Sequence, residues 1–113
     1  MSKVKFCVTG ASGFIGTNFV GWAISNGHQV VNFDIRPPKI LAHQEYWKYV
    51  DIRDKQQFFD ALTEFAPTYI VHLAATTGMD VHDFSFFDAN TKGVENLIEA
   101  ADHLPRLKRV ILA

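Results

Sequence analysis

Residues 8–17 read VTGASGFIGT, with Gly10, Gly13 and Gly16 spaced three apart. Glycine inside a helix or strand weakens it by roughly 0.5–1 kcal/mol relative to alanine. Three glycines where regular structure begins therefore call for a reason, and the flanks supply one. Phe6, Cys7 and Val8 form a short apolar run of the kind shown by a strand buried on both faces. Beyond the glycines, Phe14, Ile15, Phe19, Val20, Ala23 and Ile24 recur at helical spacing, and Asn26-Gly27 is a helix stop. The glycines fall on a strand-to-helix turn. Backbone N–H groups point outward at such a helix start, and a Cβ would keep an anion away, so a turn of this kind holds phosphate.

The rest of the chain continues the alternation. Residues 28–34 (HQVVNFD) are a second short apolar run ending in Asp34, and Arg36-Pro37-Pro38 forbids helix and ladder after it. Residues 46–50 form a third β-rich run, and Asp54 is placed to cap a helix carrying Phe58, Phe59, Leu62 and Phe65. Pro67 ends that helix. Residues 68–75 (TYIVHLAA) read as a fourth strand. After a Thr-, Gly- and Asp-rich loop, a long helix is expected from about residue 84 to 103, with Phe87, Val94, Leu97, Ile98 and Ala101 facing inward. Pro105 closes it, and 107–113 (LKRVILA) is a fifth strand. Strand alternating with helix throughout argues for an α/β fold, a doubly wound parallel sheet with right-handed crossovers and strand order 3-2-1-4-5. Ligands in such sheets sit outside the carboxyl ends of the strands where the order reverses, here between the first and fourth.

Composition narrows the function. A chain of 113 residues, 48% hydrophobic and 20% charged, suits one globular domain spanning 1–113. A net charge of -1 gives no electrostatic case for nucleic acid or an anionic membrane, and no apolar run approaches a signal or membrane segment. A cytoplasmic protein is the expectation. The one cysteine, Cys7, lies in a core strand and reads as a packed thiol. His28, His43, His82 and His103 show no metal-ligand spacing with one another or with Cys7, so no metal site is expected.

The chemistry-bearing residues gather at the carboxyl ends of successive strands: the glycine turn after the first, Asp34 at the second, Asp51-Ile52 at the third and 72–75 (HLAA) at the fourth. Asp34 stands 18 residues beyond Gly16, a spacing that suits a carboxylate accepting hydrogen bonds from an adenosine ribose whose pyrophosphate rests on the turn. An adenine would then lie near the third strand end, with Asp51 facing its amine and Ile52 lining the ring. Each residue also has a plain structural reading. The glycines could be a tight turn alone, Asp34 a solvated strand end, Asp51 a helix-cap acid and His72 a satisfied core histidine. Asn90, an amide among Phe87, Val94 and Leu97, needs a partner, either a neighbouring strand or a cofactor.

Thr9-Gly10-Ala11-Ser12-Gly13-Phe14-Ile15-Gly16 resembles the TGxxGFIG fingerprint of the extended short-chain dehydrogenases/reductases, the group that includes the NAD-dependent nucleotide-sugar epimerases and dehydratases. Phe33-Asp34, residues 51–54 (DIRD), 72–75 (HLAA) and 90–97 (NTKGVENL) resemble that family's successive blocks, in order. The resemblance implies a Rossmann-like sheet, incomplete at its carboxyl-terminal edge, and NAD as cofactor. It implies that Gly10, Ser12, Gly13, Phe14, Ile15 and Gly16 hold the pyrophosphate, Asp34 the adenosine ribose, and Asp51 and Ile52 the adenine. Leu73, Ala74 and Ala75 would line the central part of NAD, Thr77 would approach the nicotinamide-side ribose, and Asn90 would be the helix amide near the cofactor. An aspartate at 34 disfavours the 2′-phosphate of NADP by charge, and Arg36 tempers that preference.

The family's Ser or Thr and its Tyr-x-x-x-Lys pair follow the fifth strand, and none of Tyr46, Tyr49 and Tyr69 is followed four residues later by lysine. The resemblance therefore implies the amino-terminal, cofactor-binding part of an enzyme that moves a hydride at a sugar carbon of a nucleotide sugar. On that expectation the chain alone is inactive and its catalytic and substrate-binding part is absent. The alternative is a non-catalytic nucleotide-binding or structural module of the same superfamily. A homodimer is the assembly to test in either case.

Overall fold

The computed structural model describes residues 4–73 and 85–112, with the side chains of the second segment described from residue 91. The expectations for Ala74, Ala75, Thr77, Phe87 and Asn90 lie outside the described side chains.

The described elements are β1 (Lys5–Thr9), α1 (Phe14–Ser25), β2 (Gln29–Asp34), a 3₁₀ turn (Leu41–Tyr46), β3 (Trp47–Tyr49), α2 (Lys55–Phe65), β4 (Tyr69–His72), α3 (Ser85–Ala101) and β5 (Arg109–Leu112). All four strand pairings are parallel, in the order β3-β2-β1-β4-β5. This is the doubly wound arrangement expected from the alternation of apolar runs. Thr9 lies opposite Phe33 of β2 on one side and His72 of β4 on the other, so the last residue of β1 stands where the order reverses.

Alternation along β1 divides the core. Cys7 faces α2 and α3 with Phe33, Ile70, Phe58, Leu62 and Leu97, while Val8 faces α1 with Val30, Val71, Val20 and Ala23. Cys7 and Val8 are both fully buried, which is why the run is apolar at consecutive positions. Burial pushes the Cys7 thiol well above its ordinary value, leaving it a packed, unreactive group. Phe6 secures α1 to the sheet edge-on to Phe19 at 5.2 Å and stacked on Tyr69 at 5.6 Å. Such pairs add about 0.5–1.5 kcal/mol each beyond area burial.

The ends of the helices follow local chemistry. Asn26 caps α1, and Gly27 then takes φ 74°, a left-handed turn that glycine adopts without strain. Asp54 caps α2 by accepting from the Gln57 amide at 3.1 Å. That helix stops at Ala66, whose φ of 54° puts a side-chain-bearing residue in the left-handed region just before Pro67.

Several expectations need correction. The segment after the two prolines is not all loop, because 41–46 winds into a 3₁₀ turn that buries His43. β4 ends at His72, leaving Leu73 outside the ladder. The largest correction concerns α3. Ile98, expected inside, is 59% exposed, and among the described side chains of α3 the buried positions are Gly93, Asn96, Leu97 and Ala100. Small residues at 93 and 100 let the helix approach closely on that side. A Cβ built at Gly93 would stand 2.4 Å from Ile52 Cδ1.

β5 forms one edge of the sheet, pairing only with β4 among the described residues. Its Ile111 and Leu112 are 46% and 57% exposed. No helix among the described residues is long and apolar enough to cross a membrane.

Candidate functional site

The glycine turn is built by three different requirements. Gly10 has φ 72°, and its N–H donates to the Phe33 carbonyl at 2.9 Å, which swings the chain off β1. At Gly16 a Cβ would fall 2.3 Å from Ala11 Cα, so glycine there allows α1 to sit directly on the turn. Gly13 has neither demand. Its φ is -81° and a Cβ would meet only the Gly10 carbonyl oxygen, at an ordinary 3.7 Å. Packing within the chain therefore does not require the glycine at 13; its N-cap position favours it, and the missing Cβ leaves the helix start open to solvent.

The start of α1 fits an anion. Gly13 is its N-cap, no side chain caps it, and no acidic residue occupies the first turn. The first intrahelical bond runs from the Thr17 N–H to the Gly13 carbonyl at 2.9 Å, so the amides of Phe14, Ile15 and Gly16 precede the ladder. The contrast with α2, capped by Asp54, is direct. Phe14 and Ile15, which share the helical spacing of the apolar positions, do not pack inward; they are 77% and 66% exposed and stand beside these amides. Uncapped amides together with the helix dipole attract negative charge.

A polar network holds the turn against the end of β2. Asp34 Oδ2 accepts from the Ser12 amide at 3.0 Å, and Oδ1 accepts from the Arg36 amide at 3.0 Å. Ser12 is itself buried, and its hydroxyl donates to the Arg36 carbonyl at 2.7 Å. The carboxylate is thus fixed in direction by two backbone donors, with further lone pairs able to accept from a hydroxyl. The indole N–H of Trp47 donates to the Asp34 carbonyl at 2.9 Å, tying β3 to the same strand end.

At the third strand end, Asp51 is engaged by Arg53. The guanidinium bonds both carboxylate oxygens, at 3.0 Å from Nε to Oδ1 and 2.8 Å from Nη2 to Oδ2, and holds the carboxyl below its ordinary value. Asp51 is not the helix cap; that role is Asp54's. Ile52 is buried against Gly93 in the core, and its carbonyl accepts from Asn96 Nδ2 at 2.8 Å. The structure thus brings Gly10, Ser12, Gly13, Asp34 and Arg36 into one bonded unit, with Phe14 and Ile15 exposed at its rim. Asp51 and Ile52 belong to a neighbouring turn.

Between β1 and β4, Thr9 Oγ1 lies 2.7 Å from His72 Nδ1, and the Leu73 amide donates to the Thr9 carbonyl at 3.0 Å and also reaches Thr9 Oγ1 at 3.1 Å. Burial lowers the His72 pKa and favours the neutral ring. His72 is a satisfied core histidine, and Leu73 is held at the crevice by its own backbone. Among the described residues no group of three or more His, Cys, Asp or Glu is placed to hold a metal ion.

Sequence reasoning gave no role to two carboxamides of this framework, Asn32 and Asn96. Asn32 Oδ1 accepts from the Ala11 amide at 3.0 Å, and Asn96 donates to the Ile52 and Arg53 carbonyls at 2.8 and 3.2 Å. The available signal was a carboxamide inside an otherwise apolar run, since a buried amide needs partners.

Five parallel strands in this order, with an anion-ready turn at the reversal point, define a Rossmann-type α/β fold. The model of the NAD dependent epimerase/dehydratase family matches residues 6–113, and the chain belongs to that family. It is 31% identical over 110 residues to the CDP-paratose 2-epimerase of Salmonella typhi, a match covering 86% of this chain and 32% of that protein. Among solved structures it resembles the UDP-glucose 4-epimerase of Thermus thermophilus in complex with NAD, at TM-score 0.81 and 29% identity over 94% of this chain and 36% of that one. The dTDP-glucose 4,6-dehydratase of Bacillus anthracis in complex with NAD gives TM-score 0.79 and 25% identity, covering 96% of this chain and 36% of its own. The chain spans about a third of the length of these relatives.

Proposed function

We propose that this chain is the dinucleotide-binding part of an NAD-dependent nucleotide-sugar epimerase or dehydratase. The observation that carries the reading is the uncapped start of α1 at Gly13, held beside the doubly bonded carboxylate of Asp34. The pyrophosphate rests on the amides of the glycine turn, with Phe14 and Ile15 covering it, and Asp34 accepts from the adenosine ribose. Asp51 and Ile52 border the adenine. Leu73, just past the end of β4, lies on the side where the nicotinamide would follow; Ala74, Ala75, Thr77 and Asn90 are assigned to the same cofactor by the family resemblance alone.

Bound NAD would supply a hydride acceptor for the whole enzyme, with the glycine turn and Asp34 of this chain holding it. The 113 residues contain no tyrosine followed four residues later by lysine, so turnover is not expected of them alone. A cytoplasmic setting suits the single buried thiol.

Calorimetric titration of NAD into the folded chain, with circular dichroism on the same sample, tests the proposal. Saturable binding at one site that is lost on replacing Gly13 with valine supports it. A folded chain that binds no NAD, or a Gly13→Val variant that binds it as well as the parent, sinks the assignment of the phosphate turn.

A further inference from the structure

We infer that Asn32 is a positioning residue that sets the preference for NAD over NADP, acting through Ser12 on the peptide of Arg36; this rests on the dinucleotide reading above. Asn32 is 2% exposed on the strand face shared by Val8, Val30 and Val71. Its orientation is determined by its partners. The Ala11 amide can only donate, so the atom 3.0 Å from it is the acceptor Oδ1. Nδ2 then donates to Ser12 Oγ at 3.1 Å, and the single Ser12 hydroxyl proton goes to the Arg36 carbonyl at 2.7 Å. Polarity runs one way, from the buried amide to the loop.

Arg36 is consequently held at both ends of its own backbone. Asp34 Oδ1 takes its N–H and Ser12 Oγ holds its carbonyl. The guanidinium leaves from an exposed residue whose backbone is fixed against the glycine turn. Discrimination between the two cofactors depends on the balance of charge at this strand end. Asp34 accepts from a 2′-hydroxyl and repels a 2′-phosphate, and a nearby arginine free to approach the phosphate offsets that repulsion. The relay from Asn32 keeps residues 34–36 in the arrangement where the carboxylate dominates. Without it, the Arg36 carbonyl loses its tether to the turn and Arg36 gains reach, while the backbone amides of Ser12 and Arg36 still direct the Asp34 carboxylate.

The test measures dissociation constants of NAD and NADP by calorimetry for the parent chain, Asn32→Leu, Ser12→Ala and Ser12→Ala/Arg36→Ala, with thermal unfolding of each. Ser12→Ala keeps the bond between Asn32 and Ala11 and serves if Asn32→Leu does not fold. The expected result is a fall in the NADP-to-NAD ratio of dissociation constants by about tenfold in either single variant, the scale of one buried hydrogen bond to a site. Removing Arg36 in the Ser12→Ala background should reverse that gain in NADP binding, a response that a purely structural role would not give. Folded single variants with the parent ratio overturn the inference, and so does a double variant that retains the relaxed ratio. A parent chain that binds neither nucleotide overturns the dinucleotide reading itself, and this inference with it.

Discussion

Thr9 on β1 and His72 on β4 meet side chain to side chain across the sheet, with Thr9 Oγ1 2.7 Å from His72 Nδ1 in a buried setting. Burial depresses the imidazole pKa from its ordinary 6.5, so the unfolded chain takes up the proton first. Stability is full above about pH 6.5 and falls as the pH drops below it, until the folded ring protonates too. Urea midpoints from pH 8 to pH 5 should show this fall, and His72→Asn should flatten it. A parent profile that is level through that window would contradict the assignment.

The glycines of the turn should separate by mechanism. Gly16→Ala places a methyl 2.3 Å from Ala11 Cα and should cost about 1–3 kcal/mol in overpacking. Gly13→Ala meets nothing closer than 3.7 Å and should cost about 1 kcal/mol, the difference between glycine and alanine as an N-cap. NAD affinity should fall in Gly13→Ala even where the fold persists. Denaturation and titration on the same two variants distinguish packing from ligand approach.

Replacing Asn96 with alanine removes the donor to the Ile52 and Arg53 carbonyls. Leaving the buried Ile52 carbonyl unsatisfied costs about 1–3 kcal/mol, so the urea midpoint should drop with an unchanged slope. A neutral result would mean that water takes over both bonds.

Ala66 offers a substitution in the other direction. Its φ of 54° costs a residue with a Cβ about 1 kcal/mol or more, and glycine is the usual occupant of such a helix end. Ala66→Gly should raise stability by roughly 0.5 kcal/mol after the added freedom of the unfolded chain is counted, read as a higher urea midpoint.

The β5 edge should govern self-association. Ile111 and Leu112 are exposed beside an edge whose backbone groups invite another strand. Sedimentation over a concentration series should show association in the parent and less of it in Ile111→Lys. Equal behaviour of the two would place the contact elsewhere.

The strand order and the turn were legible because period and glycine spacing report backbone geometry directly. Gly10 and Gly16 are needed by the chain itself, through a positive φ and through contact with Ala11. Asp54 was legible as a cap for the same reason, since capping is local. The inward face of α3 was not. Choosing the largest apolar side chains pointed to Ile98, whereas the helix turns Gly93, Asn96 and Ala100 inward. Close approach favours small residues there, and the carbonyls that Asn96 satisfies lie more than forty residues away in sequence. Asn32 was equally opaque: an amide in an apolar strand announces that it needs partners but does not say that they are Ala11 and Ser12.

The fit of Ile52 against Gly93 also has a mechanical meaning. Helix and loop are in close contact, since a carbon added at 93 would overlap the end of the isoleucine side chain and make it turn aside. The Asn96 amide clamps the same loop from one turn further along. Residues 51–53 and the middle of α3 are therefore coupled, and their amides should exchange with deuterium at similar rates. A disturbance felt at either the third strand end or the helix is shared at once by the other.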